Sequence, residues 1–401
     1  MEVNIAEIEA AAARLRSVTK PTPLTHSSTL SRMLGAEVWI KPENLQKTGS
    51  FKIRGAYNRI RALEPAQARH GVIAASAGNH GQALAFAATQ AGIKATIVMP
   101  ETASIAKVQA TRGYGQEVVL HGVDYQAARQ RAAEISASGG PSFIDAYDDP
   151  WVIAGQGSIG LEIAAEVDAN VVMVPVGGGG LIAGIVQALA ARAPAAEVIG
   201  VEAAGSPQLS VSLARQAASG VPGPVETIAD GLATGKLGEL PYALLHGHLR
   251  EVVSVDDFAI GEAVLLLLER MKLLAEGAGA TALAGALKLG PALRGKRVVI
   301  VVSGGNIDIN LLDRMIGHGL VKSGRLWRFS VKLADRPSEL SRVLALIGSR
   351  GANIHAIDHE RNQRDVALGA ARVQVEVETR GPDHIAELRE ALQKNGYHLE
   401  N

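Results

Sequence analysis

The sequence of 401 residues contains no cysteine, so disulfide bonds, cysteine nucleophiles and thiolate metal sites are excluded. Aromatic residues make up only 3% of the chain, and its 40 basic and 40 acidic residues cancel. Because no net charge remains, no overall field attracts nucleic acid or an acidic membrane. The lack of cysteine is compatible with a reducing cytoplasm, where we expect the protein to be located.

Long apolar runs are also absent. Segments such as residues 171–176 and 298–302 are too short to cross a bilayer, and residues 1–16 have a helical pattern without the apolar core of a signal peptide. A hydrophobic fraction of 47% over 401 residues is typical of a soluble protein with two or three domains. We therefore expect no nucleic-acid or membrane partner.

Residues 20–320 alternate short apolar runs with longer Ala-rich helical patterns. Continuous apolar strands separated by helices are typical of a parallel sheet covered on both faces, so the predicted class is α/β. Many of the 44 glycines fall between a strand and a helix, where such proteins bind ligands. The predicted strands are residues 72–75, 95–99, 117–120, 171–176, 198–202 and 297–302.

After His318 the pattern changes. Phe329, Val331 and Leu333 alternate with polar residues, which indicates a half-buried strand. The elements that follow give the order β-α-β-β-α-β of a ferredoxin-like unit. We therefore predict a first domain over residues 1–321, a linker at residues 322–325 and a second domain over residues 325–401.

Two glycine-containing strings match nucleotide-binding patterns only superficially. Residues 155–160 read Gly-x-Gly-x-x-Gly, but no clear strand precedes them, which favours a helix-start or helix-packing role. Residues 290–296 resemble a phosphate loop, but Arg297 replaces the Ser or Thr that would hold magnesium, so we interpret them as a surface turn. His-Glu-x-x-His and Gly-x-Ser-x-Gly are absent, and we expect no metal site.

Four consecutive glycines, residues 177–180, follow the apolar strand at residues 171–176 and precede a helix. Without Cβ atoms their backbone N–H groups can surround a phosphate, and the helix N-terminus adds its positive end. A flexible turn is the alternative. No lysine of a nucleoside-triphosphate loop is present, so the pattern favours the phosphate of a tightly held cofactor.

Three polar segments accompany this turn. Lys52 lies between Phe51 and Ile53, and a lysine among apolar neighbours more readily becomes the neutral amine that forms a Schiff base. Residues 76–80, Ser-Ala-Gly-Asn-His, and residues 303–306, Ser-Gly-Gly-Asn, each follow a strand and suit an anion. A solvated lysine and simple helix capping are the alternatives.

Together these segments resemble the fold-type II pyridoxal-phosphate enzymes, and most of all the threonine (serine) dehydratases, also called threonine ammonia-lyases. The resemblance implies a tryptophan synthase β-like catalytic domain at residues 1–321 with two parallel-sheet subdomains, the smaller one roughly at residues 50–150. It covers nearly the whole of the first 320 residues, in order, through residues 41–56, 76–80, 154–163, 174–181, 276–280 and 303–308.

The resemblance implies a role for each segment. Lys52 would hold pyridoxal 5'-phosphate covalently, beside Phe51, and would remove the substrate α-proton. Asn79 would hydrogen-bond the ring oxygen, and Ser303 would face the pyridine nitrogen. The phosphate would be bound by Gly177, Gly178, Gly179, Gly180 and Leu181, and the substrate carboxylate by Ser76, Ala77, Gly78, Asn79 and His80.

The resemblance also implies a reaction. A neutral Ser303 hydroxyl does not enforce a protonated pyridine ring, so loss of a β-hydroxyl is favoured over transamination. L-Threonine would give 2-oxobutanoate and ammonia, and L-serine would give pyruvate. Serine racemases of similar sequence carry a second serine where this chain has Ala77, and a divalent-cation pair where it has Glu202 and Gln208. Ala77 therefore argues against proton exchange on both faces, and Gln208 argues against a divalent site, with a monovalent cation near Glu202 as the alternative. The alternative functions are a racemase or β-replacement enzyme of the same fold and an inactive amino-acid sensor.

The second domain resembles an ACT domain, with residues 335–340 at its first strand-to-helix turn. Such domains commonly pair and bind amino acids, which implies a homo-oligomer, a dimer or a tetramer, with isoleucine or valine as effector and a place in isoleucine biosynthesis. A fixed oligomerisation module is the alternative.

Overall fold

The computed structural model describes residues 1–361 and 366–400. The chain divides into two compact units, Met1–Asp308 and Ile309–Asn401. The second unit therefore begins with the helix Ile309–Lys322, ahead of the linker expected at residues 322–325. The assignment of a catalytic domain to residues 1–321 and of a second domain to residues 325–401 stays a prediction.

The described residues form strands of two to nine residues, many of them fully buried in the first unit. In chain order the strands are β1 (Thr25–His26), β2 (Glu37–Pro42), β3 (Val72–Ala75), β4 (Ala95–Met99), β5 (Glu117–Leu120), β6 (Ser142–Phe143), β7 (Val171–Pro175), β8 (Glu197–Ala203), β9 (Glu251–Val255), β10 (Arg297–Val302), β11 (Leu326–Ala334), β12 (Asn353–Glu360), β13 (Ala370–Glu378) and β14 (Leu399–Glu400).

Helices separate most of these strands. In chain order they are α1 (Ile5–Leu15), α2 (Ser28–Leu34), α3 (Lys52–Arg61), α4 (Pro65–His70), α5 (Asn79–Ala91), α6 (Ile105–Arg112), α7 (Tyr125–Ala137), α8 (Pro150–Glu166), α9 (Gly180–Arg192), α10 (Gln208–Arg215), α11 (Glu239–Leu245), α12 (Asp257–Leu266), α13 (Gly277–Leu289), α14 (Ile309–Lys322), α15 (Glu339–Ser349) and α16 (Pro382–Lys394).

The first unit contains two sheets. The larger has the strand order β1-β2-β10-β7-β8-β9, and only β1 runs antiparallel to its neighbour. The smaller has the order β5-β4-β3-β6 and is parallel throughout. These two sheets confirm the predicted α/β fold with parallel sheets. The continuous apolar runs in the sequence are what strands buried on both faces require.

Helix α8 contains the glycines of the Gly-x-Gly-x-x-Gly string in its interior, not at its start. A Cβ on Gly155 would lie 2.6 Å from the carbonyl oxygen of Arg54 in α3, and a Cβ on Gly157 would lie 2.9 Å from that of Gly184 in α9. The glycines let three helices pack closely. The helix-packing interpretation is therefore confirmed.

The second unit has an antiparallel sheet with the strand order β12-β13-β11-β14, joined by α15 and α16 in the predicted ferredoxin-like sequence of elements. Its core contains Phe329, Val331 and Leu333 of β11, packed with Val343 of α15 and Leu388 of α16. The period of two in the sequence thus places one face of β11 in the core.

Among the described residues, none of the helices combines the length and apolar character that crossing a membrane requires.

Candidate active site

Polar loops of the first unit follow the carboxyl ends of neighbouring parallel strands. The four-glycine turn follows β7 and Ser303 follows β10, which pairs with β7. Ser76 follows β3, and residues 144–148 follow β6, which pairs with β3. Loops at such strand ends are where α/β sheets bind ligands, because neighbouring loops emerge at the same edge.

The loop that precedes Lys52 is joined to the loop after β10 by backbone hydrogen bonds. The N–H of Phe51 donates to the carbonyl of Ser303 at 3.1 Å, and that of Gly305 donates to the carbonyl of Gly49 at 2.9 Å. Lys52 then begins α3. These bonds hold the two loops side by side, so the backbone of Lys52 lies next to Ser303.

Lys52 is half-buried. Its Nζ donates a hydrogen bond to the carbonyl oxygen of Ala146 at 2.8 Å and lies 5.2 Å from the centroid of the Phe51 ring. Removal from water lowers the pKa of Lys52 to about 8, although the negative charges of Asp145 and Glu276 act in the opposite direction. A substantial fraction of this amine is therefore neutral near pH 8.

The four-glycine turn lies against the residue that follows Ala146. A Cβ on Gly178 would overlap the ring of Tyr147, and a Cβ on Gly180 would lie 2.9 Å from the Tyr147 Cα. Gly179 has a φ of 94°, which L-residues with side chains rarely adopt. The turn needs glycine for these close approaches, so it is not a passive flexible turn, and residues 146–147 connect it to the Lys52 amine.

The turn ends in α9, whose first residue is Gly180 and whose second, Leu181, is buried. The first backbone N–H groups of a helix have no partner within the helix, and its dipole attracts anions. The geometry therefore suits a phosphate group at the start of α9.

The segment from Ser76 to His80 leads into α5, which begins at Asn79 after the N-cap Gly78. No side chain caps this helix: the Oγ of Ser76 accepts a hydrogen bond from the N–H of Gly78 at 3.2 Å, and the Asn79 amide contacts other loops. Ala77 offers only a methyl group. The simple capping alternative does not describe these side chains.

His80 and Ser303 are both buried. Removal from water and the charge of Lys52 lower the pKa of His80 to about 4, so the imidazole is neutral at pH 7. Its Nε2 lies 3.3 Å from the carbonyl oxygen of Ile144. The Ser303 Oγ donates to the carbonyl of Ala278 at 3.3 Å. Ser303 is thus an uncharged hydroxyl in an enclosed position.

Several residues of this region were not singled out from the sequence. Asp145 and Ala146 follow the two-residue strand β6, which is too short to produce a recognisable apolar run. Glu276 lies within a segment of the family resemblance, yet no chemistry suggested a role for it. The signal available for Asp145 was its position after a strand, but that strand became visible only through its pairing with β3.

A metal site finds no geometric support among the described residues, which contain no group of three His, Asp or Glu side chains that could hold an ion. Glu202 instead accepts hydrogen bonds from the N–H groups of Leu209 and Ser210 at 3.1 and 3.3 Å, at the start of α10. Gln208 donates to the carbonyl of Leu232 at 3.0 Å. A monovalent cation near Glu202 stays an untested hypothesis.

The chain is similar in sequence and in structure to known proteins. A curated L-threonine ammonia-lyase of Thermotoga maritima is 44% identical over 399 residues, covering 99% of both chains. The solved structure of the processed form of threonine deaminase isoform 2 from Solanum lycopersicum matches with a TM-score of 0.74 and 34% identity, over 78% of this chain and 92% of that one. The structure of maize serine racemase matches with a TM-score of 0.74 and 33% identity, over 80% and 99%.

A family model described as pyridoxal-phosphate dependent enzyme matches residues 15–304 of this chain. That range contains Lys52, the four-glycine turn and Ser303. The chain therefore belongs to the family of pyridoxal-phosphate dependent enzymes.

Proposed function

We propose that this chain is a threonine ammonia-lyase, which eliminates water from L-threonine to give 2-oxobutanoate and ammonia, and which also converts L-serine to pyruvate and ammonia. One observation carries the proposal: the partly desolvated Lys52 amine is connected through residues 146–147 to a four-glycine turn that excludes side chains. The relative from Thermotoga maritima, named L-threonine ammonia-lyase, supports the choice of substrate.

The residues present fit pyridoxal phosphate. Its aldehyde requires a neutral amine, which Lys52 can supply, and its phosphate requires backbone N–H groups, which residues 177–181 can supply. When bound, the cofactor supplies a conjugated ring that accepts electron density from the substrate Cα. We propose that Asn79 donates a hydrogen bond to the ring oxygen and that Ser303 lies at the ring nitrogen.

The chain's own groups then act on the substrate. Lys52 removes the α-proton, since its lowered pKa of about 8 lets the neutral amine exist close to physiological pH. The backbone at residues 76–80 binds the substrate carboxylate at the start of α5. The uncharged Ser303 hydroxyl does not compel the ring to be protonated, so departure of the β-hydroxyl is favoured over transamination.

Racemisation is the second candidate activity, because the structure of maize serine racemase matches this chain. Proton exchange on both faces of the substrate requires a second acid-base group opposite Lys52. Ala77 stands at the position where the similar racemases carry a serine, and a methyl group cannot transfer a proton. We therefore propose elimination as the main reaction.

The test is an assay of purified protein with pyridoxal phosphate and either L-threonine or L-serine. We expect keto acid and ammonia in equal amounts, a visible absorption band of the bound cofactor, and loss of both in Lys52→Ala. Formation of D-serine without keto acid would instead support the racemase. A protein that stays colourless with added cofactor would contradict both.

We also propose that the second unit is an ACT domain that binds isoleucine or valine in a homo-oligomer, a dimer or a tetramer, of a cytoplasmic enzyme. The unit contains an open cleft of about 940 Å³ with charges of both signs along its walls, which suits an amino acid. Its charged residues include Asp313, Arg314, Arg328 and Glu378.

Regulation can be tested on the full chain. We expect isoleucine or valine to change the rate of keto-acid release, and Arg314→Ala to remove that response while keeping the rate without effector. A response that persists in Arg314→Ala would place the effector elsewhere. No response in the unchanged protein would favour a fixed oligomerisation module.

A further inference from the structure

The side-chain amide of Asn79 is held from two sides. Asn306 Nδ2 donates a hydrogen bond to Asn79 Oδ1 at 2.7 Å, and Asn79 Nδ2 donates to Glu276 Oε1. An asparagine amide has one oxygen and two N–H donors. These contacts fix which atom is the oxygen and use one N–H, so the second N–H of Asn79 is left to donate elsewhere.

Asn306 is itself fixed by the loop that precedes Lys52. Its Nδ2 also donates to the carbonyl oxygen of Thr48 at 2.7 Å. A Cβ on Gly49 would overlap the Asn306 amide, and both Thr48 and Gly49 have positive φ angles, 63° and 73°. The strained turn therefore approaches the Asn306 side chain closely, and Asn306 connects Asn79 to the segment that carries Lys52.

Glu276 is fixed by the loop that follows β10. Its backbone N–H donates to the carbonyl of Gly304 at 3.1 Å, and a Cβ on Gly304 would overlap the Glu276 carboxylate. The absence of a side chain on Gly304 thus leaves room for the Glu276 carboxylate to reach Asn79.

We propose that Glu276 and Asn306 are positioning residues that clamp the Asn79 amide as a hydrogen-bond donor toward the cofactor. This inference rests on the proposed function, because it assigns the remaining N–H of Asn79 to bound pyridoxal phosphate. An unclamped amide could rotate and present its oxygen to the ring oxygen, and two acceptors repel each other.

The charge of Glu276 depends on its surroundings. The charged groups that face it are Lys52, Lys107 and Asp230, of which Lys107 and Asp230 form an ion pair at 2.7 Å. Removal from water raises the pKa of Glu276 to about 7, against the hydrogen bond from Asn79. Where it is ionised, the carboxylate favours the protonated form of the Lys52 nitrogen, since Glu276 raises the pKa of Lys52.

Glu276→Gln separates orientation from charge, because glutamine keeps an oxygen that accepts from Asn79 and loses the negative charge. We expect the Glu276→Gln protein to bind pyridoxal phosphate nearly as tightly as the unchanged protein does. The pH midpoint of the cofactor's visible absorption band should fall, because the negative charge that raises the pKa of Lys52 is removed.

Glu276→Leu and Asn306→Ala each remove one side of the clamp. We expect each to weaken cofactor binding about tenfold, and the double substitution to weaken it by less than the product of the two, because both release the same amide. Equilibrium titration with pyridoxal phosphate measures the affinities. Glu239→Gln is the matched control, since it removes an exposed carboxylate of α11 and should change neither affinity nor midpoint.

The outcomes distinguish the two levels of the proposal. If the unchanged protein fails to bind pyridoxal phosphate or to release keto acid, the proposed function fails. If it does both, but the Glu276 and Asn306 variants differ from it only in melting temperature, the residues are merely structural and the clamp is wrong.

Discussion

Arg54 and Glu43 form a buried ion pair close to Lys52, and its removal has a calculable effect. Arg54 lies in α3, two residues after Lys52, and the side chains of Arg54 and Glu43 are 1% and 0% exposed. The guanidinium donates to both Glu43 oxygens, at 2.8 and 2.7 Å, and to Glu162 at 2.6 Å. This network holds the helix that carries Lys52 against Glu43 and against Glu162 of α8, which is 108 positions away from Arg54.

Arg54→Met keeps an unbranched apolar stem and removes the positive charge. Glu43 then remains buried without its hydrogen-bonding cation, which costs about 3–5 kcal/mol. The first unit has 308 residues, and unfolding entropy of roughly 2.1 cal/mol/K per residue converts this cost to a fall in melting temperature of about 5–8 °C. Differential scanning calorimetry of the two proteins measures it.

The pH dependence has a definite sign. Burial opposes ionisation of Glu43, but the charge and hydrogen bonds of Arg54 prevail and hold its pKa below the ordinary value. The lowered pKa stabilises the protein at pH values above the unfolded carboxyl pKa, and this contribution is lost as pH falls through the folded pKa. In Arg54→Met burial instead raises the pKa of Glu43. The loss in free energy of unfolding relative to the unchanged protein should therefore be larger at pH 8 than at pH 5.

Two comparisons test the reasoning. Glu43→Gln added to Arg54→Met removes the unpaired charge and should restore part of the lost stability. Arg59→Met, in the same helix, breaks a more exposed pair with Asp149 and should cost less. Equal losses for Arg54→Met and Arg59→Met, or no recovery with Glu43→Gln, would refute the argument.

Two further predictions concern the cofactor site. Gly178→Ala should weaken pyridoxal phosphate binding roughly tenfold, because its Cβ would overlap the Tyr147 ring, whereas Gly317→Ala, with no atom within 4 Å, should leave it unchanged; titration of both variants checks this. The rate at which cofactor-free enzyme forms the visible band should rise with pH and level off above about 8, as Lys52 loses its proton; a rate independent of pH between 6 and 9 would contradict the lowered pKa.

Local sequence patterns predicted most of the fold. The apolar runs that became β3, β4, β7 and β10 can be recognised one at a time, because burial on both faces demands apolar side chains at every position. The alternation of Phe329, Val331 and Leu333 likewise predicted one buried face of β11. The short strand β6 was missed because two residues carry no periodicity.

The residues of the site also differ in how far the sequence alone indicates them. The four-glycine turn stands out in the sequence because the backbone freedom of four glycines is a local chemical signature. Lys52 was assigned its role through the family resemblance, because an amine among apolar neighbours is weak evidence by itself. The pairing of Arg54 with Glu43, and the clamp of Glu276 and Asn306 on Asn79, have no such signature. Hydrogen bonds between residues 11 to 227 positions apart form only when separate segments of the chain meet, and the order of strands in the two sheets decides which segments meet.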